Sequence, residues 1–142
     1  MTDIIETIME ARERAAKIRE TTSDSGFPYL VEVLRRVAVT ACHVDVTSAS
    51  ALYVTPEGNV LVPGVGPARE ATVVPEFDKA ALIAAIEAKR ARETTFPEFI
   101  AAVFGAGVVR YSLCTELRTC TYFGARGEEF VDDPYPKVEL PE

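Results

Sequence analysis

Six side chains that could take part in chemistry are predicted to gather on one polar face of a β-sheet. They are His43, Asp45, Tyr53, Ser112, Cys114 and Tyr122. His43 and Asp45 are two residues apart in an alternating polar and apolar stretch, which places both on the same face of a strand. A neutral histidine beside a carboxylate can act as a general base. The spacing therefore indicates a candidate catalytic or ligand-binding pair centred on His43.

An internal repeat connects the second half of the chain to this pair. The stretch 96–131 resembles the stretch 27–62 without a gap, at an offset of 69 residues. This offset makes Ser112 the equivalent of His43. Self-similarity over such a distance predicts two structural units of the same kind.

Hairpin geometry adds two tyrosines to the candidate site. If each hairpin has a three-residue loop, Tyr53 pairs across from His43, and Tyr122 pairs across from Ser112. Residues directly opposite each other on antiparallel strands share a face of the sheet. The sequence therefore predicts both tyrosine hydroxyls on the polar face.

The same pattern has a plainer interpretation, which we favour. Alternating polar residues line any sheet face that is in contact with water, and a His-x-Asp pair is short enough to occur by chance. A functional interpretation requires that this face be covered, so that a pocket rather than bulk solvent meets His43.

Three cysteines without regular spacing fit a reducing compartment better than a disulfide framework. Cys114, the equivalent of Asp45 in the repeat, and Cys120 are predicted to face one another across the second hairpin. Adjacent strand pairing suits few disulfides, so we interpret them as structural thiols.

No metal or cofactor is predicted. His43 is the only histidine and there is no CxxC motif, so the usual zinc spacings cannot be met. The acidic segment 128–133 lacks the spaced ligand loop of a calcium site. The Gly-x-Gly pairs at Gly64 and Gly105 lack the strand-before, helix-after context of a phosphate loop.

Charge and hydropathy exclude several classes of partner. The chain carries 15 Lys and Arg against 22 Asp and Glu, a net charge of −7, whereas nucleic-acid binding needs clustered basic residues. No apolar run approaches the length of a membrane span, and the N-terminus does not resemble a secretory leader. We therefore expect a cytoplasmic protein that binds neither nucleic acid nor membrane.

Each half of the chain predicts two helices followed by three strands. In the first half, apolar residues at 4, 8, 11, 15 and 18 follow one helical face, and a second helix begins near Phe27. In the second half, Asp78 is a predicted N-cap, and Thr95 with Glu98 forms a predicted capping box. A period of two follows each helix pair and predicts the strands.

These elements predict an α+β fold in one domain, residues 1–142. Halves 1–63 and 77–132 are joined by a Pro- and Gly-rich connector, 64–76, and residues 133–142 form an extended tail. Neither half alone covers its sheet well, so we expect the halves to pair about a pseudo-twofold axis. The same tendency to pair makes a homodimer plausible.

Five short segments of the chain carry a resemblance to a known family. In the second half they are Glu93-Thr94-Thr95-Phe96-Pro97-Glu98-Phe99, Gly105 to Tyr111 and Thr121-Tyr122-Phe123-Gly124, and in the first half they are His43-Val44-Asp45 and Tyr53 to Gly58. The chain resembles a bacterial and prophage family of unknown function that is often labelled "phage envelope protein". The resemblance implies a small duplicated α+β fold without an assigned activity.

Two functions follow as hypotheses. The first is a non-enzymatic interaction or accessory domain that acts through self-association or a protein partner, and the resemblance implies a phage association. The second is a small-molecule-binding protein or enzyme that uses the polar face around His43. The absence of a compelling nucleophile and base favours the first.

Overall fold

The computed structural model describes residues 3–21, 27–64, 66 and 73–141. Within them lie four helices and six strands. In chain order they are α1 (Ile4–Thr21), α2 (Phe27–Arg36), β1 (Ala41–Asp45), β2 (Ser50–Thr55), β3 (Gly58–Val62), α3 (Lys79–Arg90), α4 (Phe96–Gly105), β4 (Val108–Cys114), β5 (Thr119–Gly124) and β6 (Glu129–Val131). The predicted α+β class is confirmed.

The strands form one antiparallel sheet in the order β3-β2-β1-β4-β5-β6. The two halves of the chain meet at the centre, where β1 pairs with β4 and His43 lies directly opposite Ser112. These residues are 69 positions apart, which is the offset of the sequence repeat. This pairing is what a pseudo-twofold arrangement predicts, and an origin by duplication remains a prediction.

All four helices pack on one face of the sheet. α1 buries Ile8, Ala11, Ala15 and Ile18, and α4 buries Phe99, Ile100 and Val103. The sheet residues that meet the helices include Val44, Tyr53, Tyr111 and Tyr122, all buried. Large apolar side chains each gain about 2 kcal/mol when they are buried, so this layer supplies the main stabilisation. The other face of the sheet is covered by no helix of the described residues.

The predicted helix starts are confirmed in the second half. The Asp78 carboxylate accepts a hydrogen bond from the Ala81 amide. The Thr95 hydroxyl accepts from the Glu98 amide, and the Glu98 carboxylate accepts from the Thr95 amide. These bonds satisfy amides that the first helical turn leaves unpaired.

The segments that end α2 and α4 share a left-handed backbone. Gly107 has φ +86°, and its repeat equivalent Ala38 has φ +66°. A side chain at Gly107 would meet the backbone of Glu76 at 2.6 Å, so only glycine fits there. Ala38 keeps the same turn without glycine at a local cost in backbone strain.

The predicted connector and tail are described in part. Residues 22–26, 65 and 67–72 and the chain ends lie outside the described residues. The described tail residues, 133–141, form no helix or strand, yet Tyr135 is buried and its ring lies 4.7 Å from the ring of Phe27. Its backbone also exchanges hydrogen bonds with Arg118. Tyr135 therefore anchors the tail to the rest of the domain.

Candidate functional site

The six predicted site residues are divided between the two faces of the sheet. His43, Asp45, Ser112 and Cys114 lie on the open face, whereas Tyr53 and Tyr122 lie on the helix-covered face. Tyr53 pairs with Cys42 rather than His43, and Tyr122 pairs with Tyr111 rather than Ser112. The prediction that both tyrosines join His43 is therefore wrong.

A single extra loop residue accounts for this error. The first hairpin pairs Asp45 with Ser50, and the second pairs Cys114 with Thr119, so each loop has four residues. Changing the register by one residue moves every later side chain to the opposite face. The same shift separates Cys114 from Cys120, which pairs with Leu113 on the helix face. The prediction that these thiols face one another is wrong as well.

On the open face, His43 and Ser112 form a direct contact. His43 Nδ1 lies 2.7 Å from Ser112 Oγ, and both side chains are half-buried. Asp45 Oδ2 accepts hydrogen bonds from the hydroxyl of Thr47 and from the backbone and side chain of Ser48. The Asp45 carboxylate therefore stabilises the β1–β2 turn, while the described partner of His43 is Ser112.

The side chains around His43 form an uncovered row across all six strands. In spatial order they are Leu61, Leu52, His43, Ser112, Thr121 and Val131. Leu61 and Val131 at its ends are 62% and 55% exposed. Neither His43 nor Ser112 lines the cavity that is described next.

The helix-covered face holds a cavity of about 450 Å³ between the helices and the sheet. Much of its wall is apolar, and both halves contribute at equivalent repeat positions. Such pairs are Phe27 with Phe96, Leu30 with Phe99, Cys42 with Tyr111, and Val44 with Leu113. The cavity therefore lies where the two halves meet. Apolar clefts of this size are typical of small-molecule sites.

Lys89, from the last turn of α3, places its amine in the cavity wall. Its Nζ lies 3.2 Å from the ring centroid of Phe27 and 4.4 Å from that of Phe99. The amine is buried and has no hydrogen-bond partner among residues 3–21, 27–64, 66 and 73–141. Burial lowers the pKa of Lys89 to about 7, because the charged form loses its hydration.

The cavity wall is cationic as well as apolar. Arg12, Arg19, Lys89 and Arg92 line it, and no aspartate or glutamate does so in the part of the chain that the structure describes. Arg92 Nη2 donates to the carbonyl of Arg19 at 3.3 Å, which joins the end of α1 to the end of α3. Positive side chains are therefore clustered at this cavity, although the chain as a whole carries a net charge of −7.

Hydroxyl-bearing side chains also line the cavity, among them Thr94, Tyr53 and Tyr111. Thr94 Oγ1 is buried without a hydrogen-bond partner among the described residues. Burial raises the pKa of Tyr53 to about 12 and raises that of Tyr111 well above its usual value, so both hydroxyls stay protonated. These groups can donate hydrogen bonds to a bound molecule.

The buried thiols are not activated. Burial raises the pKa of Cys42 and of Cys120 to about 12, and all three cysteines are free. A thiolate is the reactive form, so these two side chains behave as small apolar residues.

The acidic segment near the C-terminus is used for structure. Asp132 is buried and its Oδ2 accepts from Arg90 at 2.7 Å. Glu128 accepts from the backbone amide of Arg126. The described residues contain no group of three His, Cys, Asp or Glu side chains placed to hold a metal ion.

Lys89 was not singled out from the sequence, although a signal was present. Leu82, Ala85 and Ile86 form the apolar stripe of α3, and Lys89 continues that stripe three residues beyond Ile86. A charged residue on the apolar face of a helix is expected to lie against a core or a cavity. The position of Lys89 in the helical period, rather than its residue type, is the signal that identifies it.

Comparisons with known proteins identify the family but no activity. Residues 15–133 match a family described as a protein of unknown function, DUF1398. Uncharacterised proteins of Mycobacterium bovis and of two Mycobacterium tuberculosis strains are each 40% identical over 133 residues, covering 94% of this chain and 80% of theirs. None of these descriptions mentions a phage. Among the described residues, no helix is long and apolar enough to cross a membrane. The chain belongs to the DUF1398 family, whose function is unknown.

Proposed function

We propose that this protein binds a small molecule in the cavity between its helices and its sheet, without chemical conversion. The observation that carries the proposal is the cavity of about 450 Å³ with apolar walls and a few convergent polar groups. Two of these groups, Lys89 Nζ and Thr94 Oγ1, are buried without a hydrogen-bond partner in the described residues.

Unpartnered buried polar groups support a ligand. Leaving a buried donor unsatisfied costs about 1–3 kcal/mol, and more for a charged group. A bound molecule that accepts hydrogen bonds from Lys89 and Thr94 would recover that free energy. Aromatic faces of Phe27, Phe99 and Tyr111 would contact its apolar part.

Binding is favoured over catalysis by the chemistry of the wall. Among the described residues that line the cavity there is no histidine and no carboxylate, so the Lys89 amine has no second acid or base beside it to complete a catalytic pair. Cys42, the thiol in the wall, stays protonated because burial raises its pKa to about 12. His43 lies on the other face of the sheet.

Fluorescence of the neutral probe N-phenyl-1-naphthylamine tests the proposal. We expect its emission to rise on binding to the wild-type protein. Ala16→Trp and Ala51→Phe add bulk to the cavity wall and should weaken binding about tenfold or more, about 1.4 kcal/mol. Ala84→Trp, an exposed alanine of α3 outside the cavity, is the matched control and should bind as wild type does.

The contradicting results are equally specific. Absence of probe binding to the folded wild-type protein would refute a small-molecule site. Equal binding by the two wall variants and the control would show that the probe lies elsewhere.

A second candidate function is self-association across the open face. Exposed Leu61 and half-buried Leu52 lie side by side on this face, and exposed Val131 lies at its other edge. Contiguous apolar area on a surface marks interaction sites. Asp45 lies directly opposite Arg110 in the sheet. Suppose that two copies pack face to face about a twofold axis that runs between β1 and β4, parallel to the strands. Asp45 of each copy would then lie over Arg110 of the other.

Light scattering after size exclusion tests this homodimer. We expect the mass of two copies for the wild type and one copy for Leu61→Lys, with the exposed Met9→Lys on α1 as control. A wild-type monomer at all concentrations would exclude it. Phage association and a cytoplasmic location remain predictions from the sequence.

A further inference from the structure

We infer that the ligand of the cavity is an organic anion whose charged group lies at Lys89, Arg19 and Arg92. This inference rests on the proposed binding function and adds the chemical class of the ligand. The three residues are called the cationic cluster below.

Arg19 belongs to α1 in the first half, Lys89 belongs to α3 in the second half, and Arg92 follows the end of α3. Arg92 donates a hydrogen bond to the Arg19 carbonyl, and the Arg19 charge is close enough to Lys89 to oppose its protonation. The positive charges of Arg19 and Lys89 repel one another. An anion beside Lys89 would reduce that repulsion and accept the hydrogen bond for which the amine has no described partner.

The carboxylate of Asp132 does not neutralise Lys89. Asp132 attracts it electrostatically, but the Asp132 carboxylate forms its ion pair with Arg90 at 2.7 Å. No salt bridge joins Lys89 to an acid among the described residues. The faces of Phe27 and Phe99 partly compensate the buried charge, but they do not provide an acceptor.

The apolar part of the cavity wall indicates what the uncharged part of the ligand is. Away from the cluster, the wall consists mainly of apolar side chains, among them Leu34, Val44, Ala51, Val62 and Leu113. An inorganic anion would fill only the charged end of about 450 Å³. The geometry fits a molecule with one anionic group, such as a carboxylate or sulfonate, on an apolar body.

A matched pair of probes separates charge from apolar contact. 8-Anilinonaphthalene-1-sulfonate has the body of N-phenyl-1-naphthylamine with a sulfonate added. Burial of apolar surface alone favours the neutral probe, because the sulfonate must lose its hydration. If cations bind the sulfonate group, we expect the Kd of the sulfonate probe to be lower than that of the neutral probe by about tenfold or more.

Variants locate the charge. Lys89→Met keeps the apolar stem and removes the amine, so it should weaken the sulfonate about tenfold and change the neutral probe less than about twofold. Lys17→Met, on the exposed side of α1 and outside the cavity, removes the same charge from the protein and should change neither. Ala51→Phe should weaken both probes, which shows that both occupy the cavity.

Competition supplies a test on the wild-type protein alone. Decanoate should displace the sulfonate probe at lower concentration than 1-decanol does. This arm does not depend on how well Lys89→Met folds.

The outcomes distinguish the two proposals. Equal affinity for both probes, with no effect of Lys89→Met, would overturn the anionic ligand and leave the binding function in place. Binding of neither probe by the folded protein would overturn the binding function and the anionic ligand together. A sulfonate preference lost in Lys89→Met and kept in Lys17→Met supports both.

Discussion

The two faces of the central sheet hold polar groups of different origin and different surroundings. On the open face, His43 and Ser112 are half-buried, contact one another, and belong to a strand pattern that is visible in the sequence. On the helix face, the Lys89 amine is enclosed by two aromatic rings and has no described hydrogen-bond partner. Four of the six candidate residues lie on the open face, whereas Lys89, the buried amine in the cavity wall, was not among the candidates.

The comparison teaches that residue type alone is a weak guide to a site. Water satisfies a polar side chain on an open sheet face, so its presence there requires no ligand. An unsatisfied polar group in an enclosed wall is unfavourable and therefore informative. The following experiments test whether the two faces differ as described.

The largest difference is expected for two phenylalanines on opposite faces. Phe99→Ala removes a side chain that is 1% exposed and should lower the free energy of unfolding by about 4 kcal/mol, through lost burial and a new cavity. Phe123→Ala, on the open face beneath the Arg110 guanidinium, should cost about 1 kcal/mol or less. Urea unfolding measures both, and equal losses would contradict the assignment of the core to one face.

A pH-dependent difference is expected for Lys89. Burial holds its folded pKa at about 7, below its ordinary value in the unfolded chain of about 10.4. Between these values the unfolded chain binds more protons, so this residue makes stability rise with pH. Relative to Lys89→Met, the wild type should gain about 2 kcal/mol between pH 7 and 10, less than the full shift implies because the rings favour the cation.

The comparison with Lys89→Met is necessary because other groups make stability fall as pH rises. Cys42, Cys120 and Tyr53 have pKa values raised to about 12 by burial. They oppose stability as pH rises above their unfolded values. Asp132, Arg19, Arg90 and Cys120 influence Lys89 itself and are unchanged in both proteins. A wild-type minus variant difference that does not depend on pH would mean that the amine is hydrated.

A smaller effect is expected at the β1–β2 turn. Asp45→Ala removes hydrogen bonds to Thr47 and Ser48 and should cost about 1 kcal/mol in thermal or urea unfolding. Asp45→Asn keeps an acceptor and should retain most of that stability. Unchanged stability in Asp45→Ala would restore the interpretation that this carboxylate serves His43 instead of the turn.

The smallest effect is expected at the centre of the open face. Ser112→Ala removes the hydroxyl bonded to His43 and should lower the free energy of unfolding by about 0.5 kcal/mol, because water can replace a half-exposed partner. It should leave probe binding in the cavity unchanged. Loss of probe binding in Ser112→Ala would show that the two faces are coupled.

Local features of the chain were predicted from the sequence with good accuracy. The caps at Asp78 and Thr95 have the predicted hydrogen bonds, since capping depends on residues three positions apart. The two tyrosines were assigned to the wrong face because each loop is one residue longer than assumed. The sequence signals loop length only weakly, yet one extra loop residue moves every side chain of the following strand to the opposite face of the sheet.

The sequence by itself determined the order of helices and strands, the change of period from 3.6 to 2 and the offset of 69 that relates His43 to Ser112. These properties depend on neighbouring residues and on similarity within the chain. Tertiary structure alone decided that β1 pairs with β4, that the helices leave a cavity over the sheet, and that Lys89 lies between Phe27 and Phe99. These contacts join residues far apart in the chain, and no local pattern specifies which distant surfaces will meet.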